Sequence, residues 1–264
     1  MNIVVCIKQV PDTAEIKIDP VTNTLVRDGV PSIMNPFDKY ALETALSIKD
    51  GNGAKVTVLT MGPPQATDIL KEAIAMGADE AALISDRALA GSDTLATSHA
   101  LAAAVKHTGE FDLVLCGKQA IDGDTAQVGP EMAEHLGIPQ VTGALKVQVD
   151  GDKVVVDREN ETTSQTLAAA MPCLVTVSRS EKEPRFASIK GKMKARIAEI
   201  PTWSAADMNL DVNIIGLNGS PTKVAKVFTP PVPEIHNEIF NEEDVQVAVD
   251  KLVDKLVQAK IIAG

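Results

Sequence analysis

The sequence predicts an α/β protein: a Rossmann-like parallel sheet with an antiparallel addition, followed by a C-terminal arm and helix. Three observations carry this expectation. Runs that are apolar throughout, such as Ile3-Val4-Val5-Cys6-Ile7 and Leu113-Val114-Leu115-Cys116, suit strands buried on both faces. Between them lie segments with apolar residues at helical spacing, Tyr40, Ala41, Leu42, Ala45, Leu46 and Ile48 among them. The two kinds alternate along the first half of the chain, the pattern of a parallel sheet covered by helices on both sides.

Each element has its own signal. Residues 8–28 are polar, with Pro11, Pro20 and Asp28-Gly29 as turn signals, and a short hairpin is expected there. Asn35-Pro36-Phe37-Asp38 opens the first helix, with Asp38 as its cap, and Asp50-Gly51 ends it. Val56-Thr57-Val58-Leu59-Thr60 is the second strand. Met61-Gly62-Pro63-Pro64 leads into a helix with Ile69, Leu70, Ala73, Ile74 and Met76 on one side, closed by Gly77. Ala81-Ala82-Leu83-Ile84 is the third strand. Gly91-Ser92-Asp93-Thr94-Leu95-Ala96-Thr97 opens a helix running to Gly109, with Ser92, Asp93 and Thr94 suited to its N-terminus. The Leu113 run is the fourth strand.

Beyond Pro139 the pattern changes. Asp150-Gly151-Asp152 lies between two strand-like runs and marks a hairpin. Runs over 164–170 and 173–177 flank Pro172, and the whole set is expected to add to the sheet in antiparallel fashion. Residues 1–226 are expected to form the ligand-binding α/β domain. Residues 227–264 are expected to form a second part: a proline-rich extended arm at 227–233, then a helix. Val245, Ala248, Val249, Leu252, Val253 and Leu256 give that helix one apolar stripe. The stripe suits packing on its own domain or on a second chain, and the arm favours the second chain.

In a parallel sheet, ligands collect beyond the carboxyl ends of strands, near a switch in strand order. Cys6 to Lys8, Met61-Gly62 and the stretch from Gly117 are therefore expected to converge. The last reads Gly117-Lys118-Gln119-Ala120-Ile121-Asp122-Gly123-Asp124-Thr125-Ala126-Gln127-Val128-Gly129-Pro130, between the fourth strand and a helical pattern from Glu131 to Leu136. A small-residue loop entering a helix points N–H groups and the positive helix end at its contents, which suits phosphate. Gly117, Gly123 and Gly129 permit tight turns and close approach to a ligand. Asp124, with Gln127 three residues on, suits a helix cap. The same stretch also fits an ordinary strand-to-helix connection. Asp122 and Asp124 would repel phosphate unless they face away, and an Asp-x-Asp pair could hold a metal, although no third ligand stands nearby.

Composition narrows the classes. The chain has 264 residues, 45% hydrophobic, with a net charge of -11, which argues against general nucleic-acid binding or attachment to acidic lipid. Aromatic residues make up 3%, too few for base-stacking platforms. The three cysteines, Cys6, Cys116 and Cys173, each lie in an apolar run, so buried thiols are expected and no metal centre. The first strand begins at Ile3, leaving no room for a signal peptide, and no apolar run has transmembrane length. A cytoplasmic protein without membrane insertion is the expectation. Residues 181–196 are a basic island in this acidic chain, either a solvated face or a docking surface with Ile189 or Met193 as apolar anchors.

Four motifs give a resemblance over nearly the full length: Met34-Asn35-Pro36-Phe37, Ala75-Met76-Gly77-Ala78-Asp79, Gly117 to Asp122, and Glu183-Pro184-Arg185-Phe186-Ala187-Ser188. Together they resemble the beta subunit of electron transfer flavoprotein. The resemblance implies an adenine-nucleotide-binding domain with a fold similar to universal stress proteins, an alpha-subunit partner, and electron traffic through FAD. In the single-flavin branch of that family the beta subunit holds a structural AMP. The present loop, with Gly123, Thr125 and Ala126, is similar instead to the electron-bifurcating branch, in which a second FAD fills the site. Gly91 to Thr97 is similar to that branch too.

By this resemblance Cys6, Asn35, Pro36, Phe37, Asp38, Met61, Thr94, Thr97 and Gly117 through Val128 would line the cofactor site, with no catalytic side chain required. NADH would be the hydride donor, and the electrons would go to ferredoxin or flavodoxin and to an acyl-CoA dehydrogenase. The island would be the recognition loop for that dehydrogenase, with Arg185, Phe186, Ile189, Lys192 and Met193 as its docking residues. Lys190-Gly191-Lys192 departs from the family's usual Pro-Asn-Ile. A nucleotide-sensing module without redox function is the reading from another class. It leaves the basic island and the C-terminal arm unexplained.

Overall fold

The computed structural model describes residues 1–12, 31–179, 182–225, 231 and 237–263. By internal packing the chain divides into Met1–Lys226 and Val227–Gly264. In the first unit the elements follow in order: β1 (Asn2–Cys6), β2 (Gln9–Pro11), β3 (Ser32–Met34), α1 (Pro36–Asn52), β4 (Lys55–Met61), α2 (Thr67–Met76), β5 (Glu80–Ile84), α3 (Thr94–His107), β6 (Leu113–Gly117) and α4 (Val128–Leu136). Next come β7 (Gln140–Asp150), β8 (Lys153–Glu159), β9 (Ser164–Ala170), β10 (Cys173–Val177), α5 (Ile189–Ile197), β11 (Thr202–Trp203) and the short α6 (Gly216–Gly219). The second unit contains α7 (Val245–Gln258).

Nine strands form one sheet in the order β11-β5-β4-β1-β6-β10-β7-β8-β9. The apolar runs become strands because both faces are covered. Ile3 and Val5 of β1 point into a core with Leu42 and Leu46 of α1 and Leu70 of α2. Val4 and Cys6 point the other way, toward Ala100 of α3 and Met132 of α4. Gly137 ends α4 in the left-handed conformation and Gly77 follows α2.

Three details differ from the sequence expectations. The strand Cys173–Val177 is not part of the antiparallel addition: it runs parallel to both β6 and β7, inserted between them. The antiparallel addition is β8 and β9 alone, built on the outer side of β7. The hairpin partner of β2 is β3, which lies beyond residue 28, and residues 13–30 between them are outside the described residues. The proline-rich arm, apart from Pro231, is also outside them.

The second unit shows α7 opened by Asp244, which accepts the Gln246 N–H at 2.9 Å. No residue of α7 is buried, and Val245, Val249, Leu252 and Val253 are all exposed. No helix among the described residues is long and apolar enough to cross a membrane.

Candidate functional site

Strand order locates the switch point. From β1 the chain builds outward through β4 and β5, then returns to place β6 on the other side of β1. Cys6 and Cys116 stand opposite each other in the β1–β6 register, so the two strands open at one level. Met61 ends β4, the other neighbour of β1. The three segments expected to converge thus leave adjacent strand ends.

The loop from Gly117 is fixed there by α1 and by Lys8. Asn35, fully buried, donates from Nδ2 to the Gln119 carbonyl at 2.8 Å and accepts the Ile121 N–H at 3.2 Å. Asp38 accepts the Gly117 N–H at 2.9 Å on one oxygen and the Lys8 N–H at 2.7 Å on the other. Its carboxylate therefore ties the end of β1 to the end of β6. Burial pushes the Asp38 carboxyl up to about 7, against the downward pull of Lys8, Asn35 and the Gly117 N–H. Asp38 is not the helix cap the sequence suggests. The cap position is Asn35, whose side chain is engaged with the loop instead.

Both loop carboxylates are occupied. Asp122 meets the Lys8 ammonium at 2.7 and 2.8 Å, and Asp124 accepts from Gln119 Nε2 at 2.8 Å. Among the described residues no three metal-ligating side chains come together. Asp124 does not cap α4 either, because the helix begins at Val128 with Gln127 in the cap position. Asp124 and Ala126 take φ of +50° and +54°, bending the chain back before the helix starts. The first turn of α4 offers backbone N–H groups without intrahelical partners, Pro130 having none.

The three glycines divide by role. A Cβ on Gly117 would lie 2.3 Å from Asp38 Oδ1, and one on Gly129 would lie 2.5 Å from Thr176 Cγ2, so protein fills both spaces. A Cβ on Gly123 would meet nothing within 4 Å. Gly123 alone faces open space.

Of the other expected residues, Thr125 and Gln127 are exposed, while Lys118 lines a cleft of about 320 Å³ with Ala126, Pro130, Thr142 and Arg158. Thr94 donates its hydroxyl to Glu131 Oε1 at 3.1 Å, and Thr97 is half-buried one turn further along α3. Cys6 is buried, and burial, with Asp38 adding, pushes its thiol up to about 12. Pro36 and Phe37 form the first turn of α1, with Phe37 against Gly117. Met61 and Val128 pack on the same apolar cluster as Cys6 and Met132.

Sequence reasoning missed Glu131 and Arg158, and it placed Lys8 only within a converging segment, without its ion pair. Lys8 follows the first strand directly, which was the available signal. Arg158 holds the Thr142 carbonyl and hydroxyl at 3.4 Å from within the antiparallel strands, and nothing local announced that.

The basic island lies elsewhere, against α1 and α2. Its second half is the helix α5 rather than a loop. Phe186, Ile189, Lys192 and Met193 are exposed. Arg185 is half-buried, and its guanidinium is bound to Glu43 and Asp50.

A mostly parallel sheet with a tethered loop and a helix start at its switch point defines an α/β protein of the doubly wound class. The electron transfer flavoprotein domain matches residues 22–208. The electron transfer flavoprotein subunit beta of Megasphaera elsdenii is 54% identical over 270 residues, covering 99% of this chain and all of that one. The caffeyl-CoA reductase-Etf complex subunit CarD of Acetobacterium woodii is 48% identical over 263 residues, covering 99% of this chain and all of that one. Protein FixA of Azorhizobium caulinodans is 50% identical over 238 residues, covering 87% of this chain and 85% of its own. The chain belongs to the electron transfer flavoprotein family, as a beta subunit, which implies an alpha-subunit partner.

Proposed function

We propose that the chain is the beta subunit of an electron-bifurcating electron transfer flavoprotein and that the loop at 117–128 holds FAD. The observation that carries this is the engagement of both loop carboxylates. Lys8 offsets the charge of Asp122 and the neutral Gln119 amide holds Asp124, so one of the two charges that would oppose a diphosphate is already paired. What remains toward a ligand is the open space at Gly123, the N–H groups at the start of α4, and the cations of Lys118 and Arg158 on one cleft. That donor set fits a dinucleotide, and a relative named as part of a reductase–Etf complex supports the redox reading.

When bound, FAD would accept hydride from NADH and pass electrons singly, to the alpha-subunit flavin and an acyl-CoA dehydrogenase on one side, and to ferredoxin or flavodoxin on the other. The task of this chain is to bind and orient. Asn35, Asp38 and Lys8 fix the loop, and Lys118, Arg158 and the first turn of α4 hold phosphate. The apolar face of α7 meets the alpha subunit, and residues 182–197 meet the dehydrogenase. The chain would act in the cytoplasm.

Cofactor extraction from the purified heterodimer tests the reading. Two FAD and no AMP are expected, together with NADH-driven ferredoxin reduction that depends on crotonyl-CoA. One FAD plus one AMP would overturn it in favour of a single-flavin transfer protein.

A further inference from the structure

We propose that Arg185 is a positioning residue for partner docking, not a docking contact, and that the surface it positions runs from Phe186 along α5 to Ile197. This rests on the reading that residues 182–197 meet an acyl-CoA dehydrogenase.

Two of the three guanidinium nitrogens of Arg185 are bound within the chain, and its side chain is 32% exposed. Nε and Nη2 grip the two oxygens of Glu43 at 2.8 and 2.9 Å, and Nη2 also meets Asp50 Oδ2 at 2.8 Å. The Arg185 backbone N–H adds a bond to Glu43 at 3.0 Å. Glu43 sits in the middle of α1 and is 4% exposed. Burial alone would raise its carboxyl, but the guanidinium and N–H of Arg185 outweigh burial and leave it below the usual range. Turning Arg185 toward a partner would strand a buried carboxylate, which is strongly unfavourable.

The next residue, Phe186, is 97% exposed. Ser188 then caps α5 through the Gly191 N–H at 2.9 Å. Gly191 lies so close to α2 that a Cβ would fall 2.0 Å from the Ala75 carbonyl oxygen. Lys194 Nζ reaches the Ala78 carbonyl at 3.0 Å. These contacts hold one side of α5. Ile189, Met193 and Ile197 recur every four residues and are all exposed, so they form one stripe on the other side. Lys190, Lys192 and Arg196 flank the stripe with positive charge. A stripe held at a fixed angle needs little ordering on binding, and such apolar anchors carry most of an interface's energy.

The test uses the reconstituted heterodimer with an acyl-CoA dehydrogenase, recording KM for the dehydrogenase, kcat, bound flavin and salt dependence. Glu43→Gln keeps the Arg185 charge but removes its anchor, and Arg185→Lys keeps the charge without the fork. Each is expected to raise KM about tenfold at unchanged kcat, flavin content and salt slope. Phe186→Ala added to Glu43→Gln should cost little more, because both act on one surface. A normal KM for Glu43→Gln beside a raised one for Phe186→Ala would overturn the positioning role, as would a flattened salt slope confined to Arg185→Lys. If Phe186→Ala and Ile189→Ala also leave KM unchanged, the docking reading itself falls. Asp50→Asn, at the exposed end of the clamp, should shift KM the same way and serves if Glu43→Gln does not fold.

Discussion

The Lys8 ammonium holds both carboxylate oxygens of Asp122, at 2.7 and 2.8 Å, joining positions 114 residues apart. The pair is half exposed on the lysine side, so its share of stability is small, about 1 kcal/mol or less. Its effect on the loop's charge is larger. Lys8→Met should leave the melting temperature nearly unchanged and weaken adenine-nucleotide retention about tenfold, by freeing one negative charge beside the loop. Adding Asp122→Asn should restore retention. Equilibrium dialysis of the heterodimer decides, and unchanged retention in Lys8→Met would refute the screening role.

Gly117→Ala and Gly123→Ala should separate folding from binding. The first forces a Cβ to within 2.3 Å of Asp38 Oδ1 and should destabilise by about 2–4 kcal/mol. The second meets open space and should change stability by less than about 0.5 kcal/mol while lowering nucleotide occupancy. Denaturant unfolding and cofactor extraction read the two effects. A stable Gly117→Ala protein would contradict the packing described at the loop.

Asp38 predicts a pH dependence of stability. Its carboxyl, pushed up to about 7 in the folded chain, keeps a proton that the unfolded chain releases near its ordinary value of 3.8. The stabilisation from this group is full below that ordinary value and is lost as pH rises through about 7. The advantage of wild type over Asp38→Asn should therefore shrink between pH 4 and pH 8, by on the order of 1–4 kcal/mol. Urea denaturation across that range measures it, and a gap that stays constant with pH would exclude the linkage.

The exposed face of α7 makes a prediction about assembly. Leu252→Glu removes no buried contact, since no residue of α7 is buried, and should leave the chain's own stability within about 0.5 kcal/mol. It should weaken association with the alpha subunit at least tenfold, read by analytical ultracentrifugation of the two subunits. An unimpaired heterodimer would show that this face has another use.

Much of this was legible because burial writes itself into composition. The all-apolar runs within β1 and β6 became central strands, and the glycines at 77 and 137 ended their helices. The parallel course of β10 had a signal as well: all five of its residues are buried, unlike those of β9. Asp38 and Arg185 were different. A carboxylate at a helix start looks the same whether it caps that helix or receives an N–H from residue 117. A basic island shows charge but not Glu43, 142 residues away, which had already taken one of its cations. Periodicity reports which face is wet, and long-range pairing of single polar groups leaves no trace in it.

The buried cysteines bear on handling in air. Burial holds the thiols of Cys6 and Cys173 up to about 12 and 11, and it raises Cys116 well above its ordinary value. Peroxide and alkylating agents attack the thiolate, a form these side chains scarcely populate. An electron transfer flavoprotein subunit that meets oxygen would thus escape sulfenic acid and cross-linked dimers, and oxidative wear would fall first on exposed thioethers such as Met193.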